Sequence, residues 1–249
     1  MNLFVIIGIF GVISGFIAAL ADVPLVCPEK GYAQIPERKA APWWKDVTDG
    51  RFSLSFWLSF LGQPGTYLTM WMLAVLISKN NPGLGMALKI NTFIGCYTGL
   101  LCHVIYCIKP LLYRRLYTKL DDETIEEALK SLDKVTIVPM VLGFSTLWLG
   151  TTIIIIVSII NGSLDVPKIC LLLNPVPSTL ILILLKKLKV RIIGALGVGF
   201  MMFAILLIIA GFCMCYSNLK KHVEFIRYSV FSDGDCCHDI IMDKRKIKN

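Results

Sequence analysis

Two ionisable side chains stand within or at the end of long uncharged runs of this 249-residue sequence. Asp22 closes the first run and His103 lies inside the third. A charged group at bilayer depth costs at least ~2.5 kcal/mol on insertion scales, so each needs a partner or a wet cavity. On a helix, Gly8, Gly11, Gly15, Ala18 and Asp22 fall at spacings of three and four and share one stripe. Asn91, Gly95, Gly99 and His103 recur every four residues and share another. Gly11 with Gly15, and Gly95 with Gly99, make G-x-x-x-G pairs that let a neighbouring backbone approach closely. Both polar groups therefore face protein, with the four glycines as helix-packing residues. Counted from Glu29 and Lys109, the nearest charges beyond, both sit roughly 10 Å inside the same face at ~1.5 Å per residue. If their helices are neighbours, Asp22 can accept a hydrogen bond from His103. The plainer alternatives are an Asp22 marking the interfacial end of its span, since Pro24 follows, and a His103 bonded to a carbonyl as packing.

A second polar layer lies deeper. Gln63-Pro64 and Asn174-Pro175 are each about 12 residues from the nearest basic residue on that face, or ~18 Å, with Ser145 and Thr146 level with them. Proline frees a helical carbonyl that must find another partner. The two prolines occupy the middle span of each three-span half, a pattern that points to a transporter-like site. The expected ligand-binding set is thus Asp22, His103, Gln63, Asn174 and Ser145.

The elements that position these residues follow from composition. The chain is 56% hydrophobic, and its mean hydropathy is +0.71. Six stretches contain no Asp, Glu, Lys or Arg: Met1–Ala21, Phe52–Ser78, Ile90–Ile108, Val135–Leu164, Ile169–Leu185 and Ile192–Leu219. A helix needs about 20 mostly apolar residues to cross a bilayer core. The fold class expected is all-α, a polytopic bundle of six transmembrane helices over residues 2–27, 52–78, 88–113, 135–161, 168–185 and 190–217, forming one domain. Residues 220–249 form a polar tail. This excludes a soluble enzyme, a nucleic-acid-binding domain and a disulfide-stapled secreted module.

Fifteen Lys and Arg lie in the loops after spans one, three and five, which define face A, whereas the loops of face B hold three: Lys79, Lys89 and Lys168. The positive-inside rule puts face A in the cytoplasm, with the plasma membrane as the expected location. The tail, with seven basic and five acidic residues, falls on face B in a six-span chain. Residues 2–27 lack the basic start and distinct cleavage site of a signal peptide and read as a retained span. Trp43-Trp44 should sit at headgroup level. Leu120–Lys134 reads as a separate juxtamembrane amphipathic helix, with Ile125, Leu129 and Leu132 on its apolar face.

No phosphate-binding G-x-x-x-x-G-K-[ST], H-E-x-x-H or G-x-S-x-G motif occurs. Six of the nine cysteines lie inside spans as small hydrophobes. Asp235-Cys236-Cys237-His238-Asp239 reads as an exposed thiol pair, because adjacent cysteines chelate one tetrahedral ion poorly. No metal or cofactor is expected, and membrane lipids are the expected surroundings.

Several segments together resemble an uncharacterised family, a domain of unknown function found in small, mainly bacterial six-helix membrane proteins. They are Ala21-Asp22-Val23-Pro24-Leu25, Leu61-Gly62-Gln63-Pro64-Gly65, Cys102-His103, and Asp165-Val166-Pro167-Lys168 leading to Asn174-Pro175. The family pattern has Gly before the Asp and a His in the second span, where this chain has Ala21 and Gln63. The resemblance implies the architecture and singles out Asp22, His103, Asn174 and Pro175, but no activity.

The leading expectation is a cavity open from face A that binds or transports a small solute or lipid headgroup. The alternatives are an intramembrane enzyme on a lipid or sterol-like substrate, with His103 as acid or base and Asp22 orienting it, and a structural or partner-stabilising protein. A transport path would have to continue to face B, where Asn91 is the obvious polar lining.

Overall fold

A computed structural model describes residues 2–26, 40–177, 199–220 and 224, and these contain helices and no strand. Helix α1 is Leu3–Ala21, α2 Asp49–Asn80 and α3 Pro82–Leu116. They are followed by α4, Asp122–Ile160, and α5, Gly199–Lys220. These five are long and apolar enough to cross a membrane.

Local chemistry sets their ends. Asn2 caps α1 by accepting from Phe4 N, and Pro24, which lacks an N–H, lies just past the α1 C-cap Asp22 and inside the short helical turn Val23–Val26. Asn81 alone separates α2 from α3; it caps α3 through Leu84 N, with Pro82 in the first turn. Asp121 caps α4, accepting from Thr124 N at 2.9 Å and from the Thr124 hydroxyl at 2.8 Å.

The largest departure from expectation is α4. The juxtamembrane helix and the fourth span are one continuous helix, since no breaker stands between Lys134 and Val135 and Pro139 is accommodated within it. At ~1.5 Å per residue it is about 58 Å long, well beyond a ~30 Å hydrocarbon layer. Ile125, Leu129 and Leu132 are turned toward protein. They pack against Ala40, Trp44, Tyr113 and Leu116. Trp43 and Trp44 likewise turn inward, Trp43 being buried with Val47 and Phe52.

Helices α1 to α4 pack in sequence, each on the next. Along α1, the residues facing α5 run in reverse order: Gly8 and Gly11 meet Ala204, whereas Val5 meets Gly211. Asn2 Nδ2 donates to Gly211 O, so α5 is antiparallel to α1. The main core joins Met70, Leu73 and Ile77 of α2 with Leu88, Ile155, Phe203, Leu206 and Leu207. Outside it runs a girdle of exposed apolar side chains, among them Phe16, Trp57, Phe93, Val135 and Ile153.

The expected fifth span does not start as a helix at residue 168. Lys168–Leu172 is a 3₁₀ turn, and regular helix begins at Pro175, capped by Asn174. Residues 178–198 and most of the tail, including Cys236, Cys237 and His238, lie outside the described residues.

Candidate functional site

Helix α1 ends at Ala21, and the carbonyls at its end and just past it need donors. Two come from α2. The Ser55 hydroxyl donates to Ala21 O at 2.7 Å, and Arg51 Nε donates to Pro24 O at 2.9 Å. Within the turn, Leu25 N donates to Asp22 O at 3.1 Å. Asp22 itself is at the C-cap. A carboxylate there opposes the helix dipole, whose C-terminal end is already negative. Capping therefore does not explain an acid at this position.

Helix α2 stands between α1 and α3, and Ser55 bridges them. His103 Nε2 lies 3.3 Å from Ser55 Oγ and 3.4 Å from Ser55 O. The other ring nitrogen, Nδ1, lies 3.9 Å from Asp22 Oδ1, too far for a direct hydrogen bond. The Asp22 and His103 side chains are 31% and 14% exposed, and Ser55 is fully buried. The Cys107 thiol donates to Ser55 Oγ at 3.6 Å. The structure thus brings the two residues into one cluster through a serine that the sequence reading missed.

The order carboxylate, Nδ1, Nε2, hydroxyl is that of a nucleophile relay. The Ser55 hydroxyl, however, spends its one proton on Ala21 O and is buried. In this arrangement it is an acceptor for His103 and no nucleophile.

An apolar layer covers the cluster toward face A. Leu25, Phe52 and Leu111 lie on that side of Asp22, Ser55 and His103 along their helices, and Trp43 and Val47 close over them. Beyond it is a charged clasp. Arg51 stacks on Trp43 at 4.7 Å, Asp49 pairs with Arg114 and Arg115, and Lys109 pairs with Asp133. Glu126 accepts from Ala40 N at 3.0 Å. A shallow cavity of about 520 Å³ lies at the opposite end, between Asp165–Pro167 and the last turns of α5.

The other expected residues are placed apart. Gln63 is held by its own helix: Nε2 donates to Ser59 Oγ at 2.7 Å, and Oε1 accepts from Tyr67 Oη at 2.5 Å. Tyr67 also reaches Cys96 O on α3, at 3.2 Å. Asn174 is fully buried, donating to Leu171 O and accepting from Val176 N and the Thr152 hydroxyl. Ser145 is exposed, at the start of a π turn over Ser145–Gly150. Asn91 fills that turn, donating to Thr146 O and Thr151 Oγ1, both at 2.7 Å. Gly11 lies against Thr69 and Ala204, Gly95 and Gly99 lie against Leu147, and Gly15 is buried. A close α1–α2 approach uses Gly62, which faces the Ser14 and Ala18 backbone.

Among the described residues, no group of three or more His, Cys, Asp or Glu could hold a metal ion. A model of a family of unknown function, DUF6796, matches residues 1–222. The chain belongs to DUF6796. The match includes every DUF6796 residue placed above, from Asp22 to the α5 contacts, and ends before the acidic and cysteine-bearing part of the tail. No curated protein and no solved structure matches the chain.

Proposed function

We propose that this DUF6796 protein is a six-span integral membrane protein, lodged in the plasma membrane with its basic loops in the cytoplasm. Its Asp22–His103 cluster binds a small solute or a lipid headgroup, as a carrier site between the two faces. The observation that carries this reading is the Asp22 carboxylate, set against the α1 dipole with no hydrogen-bonding side chain of its own among the described residues. Packing needs no acid there; a ligand does. Six spans are supported by the direction of α5, which runs antiparallel to α1 as an even-numbered span must. The membrane itself is supported by the apolar girdle. The layer over the site at Trp43 is then a gate that opens toward face A, and Gln63 and Asn174 shape the α2 and post-α4 segments around it.

The enzyme alternative rests on the order of Asp22, His103 and Ser55, and it requires Ser55 to release Ala21 O first. A thermal-shift screen of solutes and lipids on the purified chain, wild type beside His103→Ala, tests the binding reading. A ligand that stabilises the wild type and not the variant supports it. Equal shifts in both proteins would reduce His103 to filler.

A further inference from the structure

The hydrogen bonds around Ser55 fix where protons can be. Its hydroxyl proton goes to Ala21 O, a carbonyl that can only accept. Ser55 Oγ is therefore an acceptor toward His103 Nε2, and the second group near Nε2, Ser55 O, is an acceptor too. Nε2 carries a hydrogen in every state of this arrangement, a tautomer assigned from the network. That leaves Nδ1 facing the Asp22 carboxylate across 3.9 Å. An imidazole lone pair and an ionised carboxylate cannot face one another in a low-dielectric layer without a positive charge on or between them. One further proton, on Nδ1 or on Asp22, would make the pair neutral as a unit.

Removing that proton leaves a net negative charge beside the negative end of α1. Among the described residues, the charged or titratable groups around the pair are few. Arg51 is engaged with Pro24 O and Trp43, the Cys107 thiol is on Ser55, and Lys109 is paired with Asp133. We propose that the Asp22–His103 pair is a one-proton site that gives up its proton only in exchange for a small monovalent cation. In the exchange, the proton leaves Nδ1 or the carboxyl for water, and the cation takes its place against the carboxylate, with the freed Nδ1 lone pair as its second contact. Charge and atoms balance with no redox partner. The proposal rests on the binding reading above and names what is bound.

The test uses the full chain in detergent, in weakly buffered solution with a pH indicator. Sodium, potassium or methylammonium chloride is added, with choline chloride at equal ionic strength as the size control. The expected result is saturable release approaching about one proton per chain with at least one small cation, and none with choline. The sodium and potassium arms against the methylammonium arm separate an alkali ion from an organic ammonium as the occupant. Asp22→Asn, folded by circular dichroism, should release nothing. Because that variant can fail to fold, the wild type provides a second measure: its apparent cation affinity should fall up to tenfold for each unit decrease in pH. Release by choline as large as by the small cations, or an affinity independent of pH, overturns the exchange. Ligand stabilisation in the thermal screen without proton release leaves the binding reading standing and removes this one. Absence of both removes both.

Discussion

Ser55→Ala is the substitution that probes the cluster most directly. Ser55 is fully buried, and its hydroxyl meets Ala21 O, His103 Nε2 and the Cys107 thiol. Alanine changes the volume by one oxygen atom, so the cost is polar and not a cavity term. An interhelical hydrogen bond between membrane helices is worth ~0.6 kcal/mol on average and at most ~1.7. Leaving the buried Ala21 carbonyl without its donor adds roughly 1 kcal/mol or more. The expected loss is therefore about 2 kcal/mol, a factor of nearly thirty in the folding equilibrium. Equilibrium unfolding of the detergent-solubilised chain measures it, with Ser53→Ala, an exposed neighbour, as the control expected to change nothing. A double-mutant cycle with His103→Ala isolates the Nε2 contact, for which ~0.6 kcal/mol of coupling is expected. A Ser55→Ala loss no larger than the Ser53→Ala one, or strict additivity with His103→Ala, would refute the bridging role assigned to this serine and the tautomer argument built on it.

Three other outcomes are expected. A Cβ on Gly62 would lie 2.6 Å from the Ala18 backbone nitrogen, so Gly62→Ala should cost about 2 kcal/mol in the same unfolding assay, whereas Gly50→Ala, whose Cβ would meet the Thr48 hydroxyl at an ordinary 3.9 Å, should be neutral or stabilising. Asp133→Asn leaves the buried Lys109 ammonium without its anion and should cost about 3 kcal/mol, while Lys109→Met with Asp133→Leu should recover most of it. The hydrogen bonds from Thr124 N and then the Thr124 hydroxyl hold the Asp121 carboxyl below its ordinary value of 3.8. The stabilisation from this cap is therefore fully present above that value and is lost as pH falls through the lower one. Asp121→Asn should remove this part of the acid dependence of α4 helicity, read by circular dichroism.

Much of the bundle is legible because a helix long and apolar enough to cross a membrane shows as a charge-free run, and these runs contain most of α1, α2, α3 and α5. The same signal mislocates the start of α4. Charge marks where lipid ends, not where a helix ends, so Lys134 looked like a boundary while the backbone continued through it. Counting residues from the nearest charges puts Asp22 and His103 level, and their side chains meet across α2. Depth says nothing about direction around a helix axis, which is why Ser145, level with the proline layer, is exposed, and why a π turn beside it could not be foreseen. Ser55 escaped notice because a neutral hydroxyl in an apolar run is cheap. Its signal was the ladder Ser55, Ser59, Gln63, Tyr67 at spacings of four, one face of α2.

The cluster has a single structural origin in the break at the end of α1. A regular helix running on past Asp22 would satisfy the carbonyl of Ala21 internally and would leave nothing for Ser55 to cap. Ending α1 at Ala21 leaves Ala21 O, and Pro24 O just past it, in need of donors, and that accounts for Ser55 and Arg51. It does not account for Asp22 or for the second nitrogen of His103. An acceptor-only carboxylate adds negative charge at the one end of α1 where a cation is favoured. Local capping chemistry would select Asn, Lys or Gly there. A residue that contradicts its local rule while its neighbours obey theirs is retained for something outside the rule. What the geometry leaves unfilled is a position for positive charge between Asp22 and His103, the place the proposed proton takes in the empty state.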